Sequence, residues 1–179
     1  ELLRQLAQSE DAWVRKSIVR AVQRFSPEQK QLALEILLSI KIIDSKEVAD
    51  EVLGEFDDKH GKFKVGDLSN EQLKILLASL IECKSIDDYH IELFLNKLSL
   101  AKPKETAKLL MNRVEFKEAS PELKEYDPIP FSWNRNEPIR FNEAKEYEWL
   151  LREIRDWATV KTDSWIRFHY GSDLFKLVS

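Results

Sequence analysis

The 179-residue chain is poor in the residue types on which many catalytic and metal sites depend. Its single cysteine, Cys83, excludes an internal disulfide, and one cysteine with three histidines does not build a thiolate zinc site. Only four glycines are present, which argues against a glycine-rich phosphate loop. No apolar run of about 18 residues predicts a membrane span, and no signal peptide is visible. We expect no catalytic residue, cofactor or metal, and a cytoplasmic protein.

The residues that are abundant favour a helical protein with its own core. Apolar residues make up 43% of the chain and charged residues 34%, which suits helices with long solvated faces. The net charge of −4 gives no support for bulk affinity to nucleic acid. The chain starts with Glu1 inside a predicted helix, so we expect a piece of a longer protein.

Helical segments recur with a period of about 42 residues. The motif Ser-Pro-Glu-Gln at 26–29 opens one apolar helical run, and Ser-Asn-Glu-Gln at 69–72 opens another 43 positions later. Shorter helices predicted over 45–56 and 87–98 follow these runs at an offset of 42. This period with two helices per unit is typical of an α-solenoid. The predicted fold class is all-α, a short solenoid of stacked helical hairpins with an aromatic-rich cap.

We divide the chain into three segments of one continuous domain. Helices fill the segment 1–119; they are predicted over 11–25, 27–40, 45–56, 70–82, 87–98 and 103–116, and those at 32–40 and 70–82 read as inner helices. The segment 120–141 is rich in proline and aromatic residues, which predicts an ordered extended stretch laid across the solenoid. In the segment 142–179, Asn142 is predicted to cap a last strong helix, and a short helical tail follows over 162–179.

The sequence Asp-Ala-Trp-Val-Arg at 11–15 resembles the turn and second helix of a HEAT repeat. In that family the Asp and Arg of successive repeats bond in a ladder along the stack, which the resemblance implies for residues 1–116. Asp44 and Asp87 mark the equivalent turns of the next two units, but no arginine follows them at the same spacing. The resemblance is therefore to a HEAT-like repeat.

A basic ridge is the main candidate for a binding site. Lys16, Arg20 and Arg24 follow i, i+4, i+8 spacing on the first full helix, with Arg15 beside them and Lys30 just beyond. A solvated face is the default interpretation. The alternative is a docking ridge for an acidic partner or for a nucleic-acid backbone, although the acidic net charge disfavours the latter.

Other motifs resemble functional sites less closely. The insert 56–67 has Gly61 at the position that a calcium-binding loop requires, but Phe56 replaces its first carboxylate, so we predict an ordinary loop. A small β-excursion is expected at 62–65. His90 starts a His-x-Glu pattern typical of zinc deaminases, yet their second cysteine motif is missing. We predict that His90 is a surface or interface residue and that Cys83 is a core or boundary residue.

Three functions remain open. The first is a non-catalytic interaction module of a larger protein, which binds a protein partner or another domain of its own chain, with no membrane involved. The second is a nucleic-acid-binding helical repeat that uses the ridge, and the third is a regulatory domain of a multidomain ATPase or other enzyme. If the ridge is only a solvated face, the insert 57–68 or the edge of the aromatic cap is the next candidate.

Overall fold

The computed structural model of the chain describes residues 1–130, 141, 145–160 and 164–178. Over these residues the chain is helical and has no strand. The α-helices are α1 (Leu2–Leu6), α2 (Ala12–Gln23), α3 (Lys30–Leu38), α4 (Lys46–Gly54), α5 (Asn70–Glu82), α6 (Tyr89–Ala101), α7 (Pro103–Ala119), α8 (Tyr147–Thr159) and α9 (Trp165–Val178). The all-α prediction is thus confirmed for the described residues. The β-excursion expected at 62–65 is wrong, because this stretch leads into a 3-10 turn at Val65–Asp67.

Reciprocal capping fixes where the helices of the two repeated motifs begin. Ser69 Oγ accepts a hydrogen bond from the Gln72 amide at 3.2 Å, and Gln72 Oε1 accepts one from the Ser69 amide at 2.9 Å. In the earlier motif, Gln29 Oε1 accepts from the Ser26 amide at 3.2 Å, ahead of a 3-10 turn that leads into α3. The repeated sequence motif therefore marks repeated helix starts.

Alternate helices lie side by side. α2 contacts α4 and α4 contacts α6, while α3 contacts α5 and α5 contacts α7. Hydrogen bonds join residues about one sequence period apart: Cys83 Sγ donates to the Ile42 carbonyl at 3.4 Å, across 41 positions. Asp50 Oδ1 accepts from the His90 amide at 2.7 Å, across 40 positions. The period of about 42 residues thus corresponds to contacts between neighbouring helices of the same kind.

The core is most complete around α6. Its buried residues follow one another almost without interruption: Ile91, Glu92, Leu93, Phe94, Leu95, Asn96, Leu98 and Ser99. On the predicted inner helices, Leu37 and Leu76 are buried, but Leu32 and Ile75 are exposed. The expectation that 32–40 and 70–82 are covered on several sides is therefore only partly met. The helix that is covered on several sides is instead α6, because it contacts α4, α7 and the turn at Val65–Asp67.

The C-terminal third packs against α7. Residues 121–130, the described part of the predicted extended segment, contain no helix but form turns, and Tyr126 to Pro130 are largely buried. α8 and α9 both contact α7 and each other, with Leu150, Ile154 and Leu174 in the core. The predicted Asn142 cap lies outside the described residues, and the helix begins at Tyr147. Among the described helices, none has the length and apolar character that a membrane crossing requires.

Arg113 joins α7, the end of α5 and the extended segment. Its side chain is fully buried, and all three of its nitrogens donate to main-chain carbonyls, those of Leu80, Ile81, Cys83, Asp127 and Pro128. The last carbonyls of a helix have no partner within the helix and carry the negative end of its dipole, so a cation is favoured there. The guanidinium also lies 4.6 Å from the centre of the Tyr126 ring. Burial lowers the pKa of Arg113, although an arginine remains charged in a protein.

Gly61 is required because the insert folds back onto the end of α4. A Cβ atom at this position would lie 2.4 Å from the Glu55 carbonyl oxygen and 2.6 Å from the Asp57 amide nitrogen. The Phe63 amide donates to the same Glu55 carbonyl at 2.8 Å, which holds the fold-back in place. Steric constraints of this fold-back therefore explain the glycine at position 61 without a calcium-binding role.

We predict that Gly61→Ala lowers the free energy of unfolding by about 1–3 kcal/mol, because the added methyl group forces main-chain atoms apart. The measurement is urea unfolding followed by circular dichroism. Gly66→Ala, in the same insert, is the matched control, because a Cβ there meets nothing within 4 Å. The control should stay within about 0.5 kcal/mol of the wild type. Equal effects of the two changes would contradict the assigned fold-back.

Arg113→Met should lower the free energy of unfolding by at least about 3 kcal/mol, because it leaves several buried carbonyls without a donor. Amide hydrogen exchange should also become faster over 126–130. Arg152→Met is the control, since Arg152 is exposed and lies 3.4 Å from Glu148 on the same helix. The Arg152→Met variant should lose less than about 0.5 kcal/mol of unfolding free energy. An Arg113 variant as stable as this control would show that the anchor is dispensable.

Candidate interaction surfaces

The predicted ridge is positioned by α2. Asp11 caps this helix by accepting a hydrogen bond from the Trp13 amide at 2.8 Å, and the apolar residues of the opposite face are buried. Arg15, expected beside the ridge, is instead buried with 1% of its side chain exposed. Its Nη1 lies 2.7 Å from Asp44 Oδ1, in the turn before α4. Arg15 therefore belongs to the contact between α2 and the turn before α4 and not to the ridge.

Carboxylates of neighbouring elements lie against most of the ridge. Lys16 Nζ is 2.8 Å from Glu51 Oε1, and Arg20 Nη2 is 3.7 Å from the same oxygen. Lys30 Nζ is 2.7 Å from Asp67 Oδ2, and this hydrogen bond lowers the pKa of Asp67. Arg24 is exposed and has no ion pair among the described residues. Because acids partly neutralise this ridge, it offers less positive potential to a phosphate backbone; its role in partner binding and the nucleic-acid alternative stay predictions.

Asp44, in the turn before α4, forms ion pairs with two cationic side chains. Besides Arg15, Lys41 Nζ lies 3.0 Å from Asp44 Oδ2. Partial burial raises the pKa of Asp44, but the hydrogen bond from Lys41 and the charge of Arg15 outweigh it and hold the pKa below its usual value. This carboxylate is therefore ionised at neutral pH, when it can pair with the buried Arg15.

The insert 57–68 is held by the protein's own side chains. Asp57 and Asp58 each lie 3.3 Å from Lys97 Nζ of α6. The Phe63 ring is buried, with its centre 5.8 Å from that of Phe56. Within the part of the chain that the structure describes, no group of three or more His, Cys, Asp or Glu residues is arranged to hold a metal ion. The insert is thus a packed loop in which Asp57 and Asp58 pair with Lys97, and Asp67 pairs with Lys30.

His90 and Cys83 both contact residues about 40 positions earlier in the chain. His90 Nδ1 is 2.8 Å from Asp50 Oδ2, so this histidine lies at the interface of α4 and α6, as its predicted role allows. Cys83 is buried at the end of α5, which confirms the prediction of a core residue. Burial raises the pKa of its thiol to about 12, so it is a weak nucleophile.

Trp157 packs inside the C-terminal third. Its Nε1 donates to Glu115 of α7 at 2.9 Å, and the guanidinium of Arg167 lies 4.9 Å from the centre of its ring. Arg167 also pairs with Glu118 at 2.8 Å, which ties α9 to α7. Trp157 is partly buried against the core, and these contacts favour the predicted core or capping role over a base-stacking role. Trp133, of the same aromatic segment, lies outside the described residues.

An aromatic stripe covers the outward face of α9. Trp165, Phe168 and Phe175 keep 71%, 74% and 42% of their surface exposed. The opposite face of α9 is buried, with Leu174 in the core and a Cβ built on Gly171 only 3.0 Å from the Ala158 methyl group of α8. At about 200 Å² for a whole aromatic side chain, the exposed fractions give roughly 400 Å² of aromatic surface. We define these three residues as the α9 stripe.

Sequence reasoning missed the α9 stripe, because the tail 162–179 was predicted only as a short helix. A signal was present: Trp165, Phe168 and Phe175 have the spacing i, i+3, i+10 of one helix face. The α9 stripe lies within 142–179, the segment predicted to form the aromatic cap, whose edge is one of the alternative surfaces that the sequence leaves open.

Comparison of the chain with protein-family models, curated proteins and solved structures gives no significant match. The resemblance to HEAT repeats therefore rests on the motif at 11–15 and stays a prediction.

We predict that Lys16→Glu lowers the free energy of unfolding by about 1 kcal/mol, because it places a like charge beside Glu51. A second change, Glu51→Lys, should recover most of this loss. Arg24→Gln is the control and should change the free energy of unfolding by less than about 0.5 kcal/mol, because Arg24 is exposed and a neutral side chain avoids a negative charge at the end of α2. If both single changes at Lys16 and Arg24 are neutral, the ion pair with Glu51 contributes nothing in solution.

Proposed function

We propose that the chain is a non-catalytic interaction module with a HEAT-like solenoid architecture. Its proposed docking surface is the α9 stripe, which binds a helix of a protein partner or of another domain. The observation that carries this proposal is the exposure of three large aromatic side chains on one face of one helix.

The helix contacts support the HEAT-like architecture. α2, α4 and α6 contact in succession, and so do α3, α5 and α7, which is how stacked helical hairpins meet. The contact between buried Arg15 and Asp44 of the next turn matches the Asp–Arg pairing that the HEAT resemblance implies. The α8–α9 hairpin, which packs on α7, would then be the last unit of the stack.

The character of the last helix supports a docking role. The end unit of a solenoid usually has a polar outer face, since nothing of the stack covers it. α9 instead presents Trp165 and Phe168 outward, both more than two-thirds exposed. An apolar patch of a few hundred Å² on a folded protein often marks an interaction site, and tryptophan is enriched among residues that dominate binding energy.

The spacing of the stripe specifies a helical partner. Positions 165, 168, 172 and 175 alternate steps of three and four, the seam of a coiled coil. A partner helix that presents apolar residues at the same spacing can pack its side chains between these. The proposed occupant is thus an amphipathic helix and not an extended peptide or a nucleic acid.

Photo-crosslinking tests this proposal. p-Benzoyl-phenylalanine in place of Phe168 keeps an aromatic ring at the centre of the stripe, and irradiation of cells that produce the protein should link it to an adjacent helix. Mass spectrometry should then locate the crosslink in a segment with apolar residues at heptad spacing. Phe168→Glu, without the crosslinker, should weaken binding of that purified partner at least about tenfold.

Trp13 provides the matched control, because it is 70% exposed but lies on α2, away from the stripe. Crosslinker at position 13 should not capture the same segment, and Trp13→Glu should leave the affinity unchanged. Circular dichroism checks that each variant keeps its helical content. Equal capture from positions 13 and 168, or none from 168, would refute the stripe as a docking surface.

A further inference from the structure

The α9 stripe has a size pattern that is complementary to itself. Along positions 165, 168, 172 and 175 the residues are Trp165, Phe168, Ser172 and Phe175, so one small residue interrupts three large ones. Ser172 is exposed on the same face. We propose that the helix that covers the stripe is α9 of a second copy of this chain, packed antiparallel about a two-fold axis. This inference rests on the proposed docking role of the stripe and names its partner.

An antiparallel pair centred at the level of residue 170 places each large side chain of the stripe opposite either another aromatic ring or the small Ser172. In this register Trp165 faces Phe175 of the second copy, and Phe168 faces Ser172 of the second copy. The two-fold axis repeats both layers, which gives four layers along the seam. Each Phe168 ring then fills the space that the opposite serine leaves open, so large and small side chains alternate across the interface.

A parallel pair lacks this fit. It would place Ser172 against its own copy between layers of paired phenylalanines and leave a void, which costs stability. The size pattern therefore selects one orientation.

The exposed area is appropriate for the centre of a dimer interface. The roughly 400 Å² of aromatic surface on the stripe is about half of the ~800 Å² that each partner of a standard interface buries. Exposed residues that flank the seam, such as His169 and Lys176, would form its polar rim. With the stripe of both copies buried, the aromatic residues account for about 800 Å² in total, so flanking residues supply the rest of the interface, which fits a reversible dimer and not an obligate one.

The test is the mass of the purified chain in solution. Light scattering after gel filtration and sedimentation velocity, from about 5 to 200 µM, should show a dimer at twice the chain mass of 21.1 kDa. Phe168→Glu should shift the sample to monomer, whereas Trp13→Glu should not. A wild-type chain that stays monomeric throughout this range overturns the inference. The proposed docking role would survive that result if Phe168 still crosslinks to a helix of another protein.

A size exchange tests the register. Ser172→Phe adds apolar surface, so nonspecific association or a parallel pair would become tighter. The antiparallel register predicts the opposite, a dimer at least about tenfold weaker, because the new ring opposes Phe168 of the second copy. The double change Phe168→Ser with Ser172→Phe exchanges large and small residues and should restore dimerisation. Tighter association of the single variant, or no recovery in the double variant, overturns the antiparallel pairing.

Discussion

The arrangement of the C-terminal half depends on Arg113. Its buried guanidinium supplies donors to the last carbonyls of α5 and to Asp127 and Pro128 of the extended segment. Neither set of carbonyls can accept a helical hydrogen bond from its own element, because α5 ends at the first set and the segment that contains the second set forms no helix. One side chain of α7 thereby joins the end of α5 to residues 127 and 128.

Charged groups serve mainly to join neighbouring elements. Arg15 meets Asp44, Lys16 and Arg20 meet Glu51, and Lys97 meets Asp57 and Asp58, in each case between different helices or turns. Many of the charges in the described part of the chain are therefore paired with an opposite charge. Since acids partly cancel the ridge, the apolar surface of α9 is the feature that most favours association. This is the physical basis for preferring a protein partner to a nucleic acid.

α9 has two apolar faces, and within the described residues one of them packs against α7 and α8 while the other is exposed. The inner face approaches α8 so closely that Gly171 leaves no room for a larger side chain without a shift. The outer face carries Trp165 and Phe168 in contact with solvent, which is unfavourable unless something covers them. Both proposals, a docking role for the stripe and antiparallel pairing with a second copy, explain why these side chains are exposed, and the second names the partner of the first. The first requires only that a helix binds, while the second depends on the position of Ser172.

The sequence by itself determined the helices and most of the core. Capping residues such as Ser69 and apolar positions such as Leu37 and Leu76 act through local hydrogen bonds and the 3.6-residue period, which are readable without the fold. Only the tertiary structure decided which apolar face of α9 is buried against other helices, because the hydropathy pattern does not identify the packing partner of each face. It also decided that Arg113 is buried, since an arginine normally indicates a surface. The acids that neutralise the ridge come from distant positions, so only the folded chain brings the two signs of charge together.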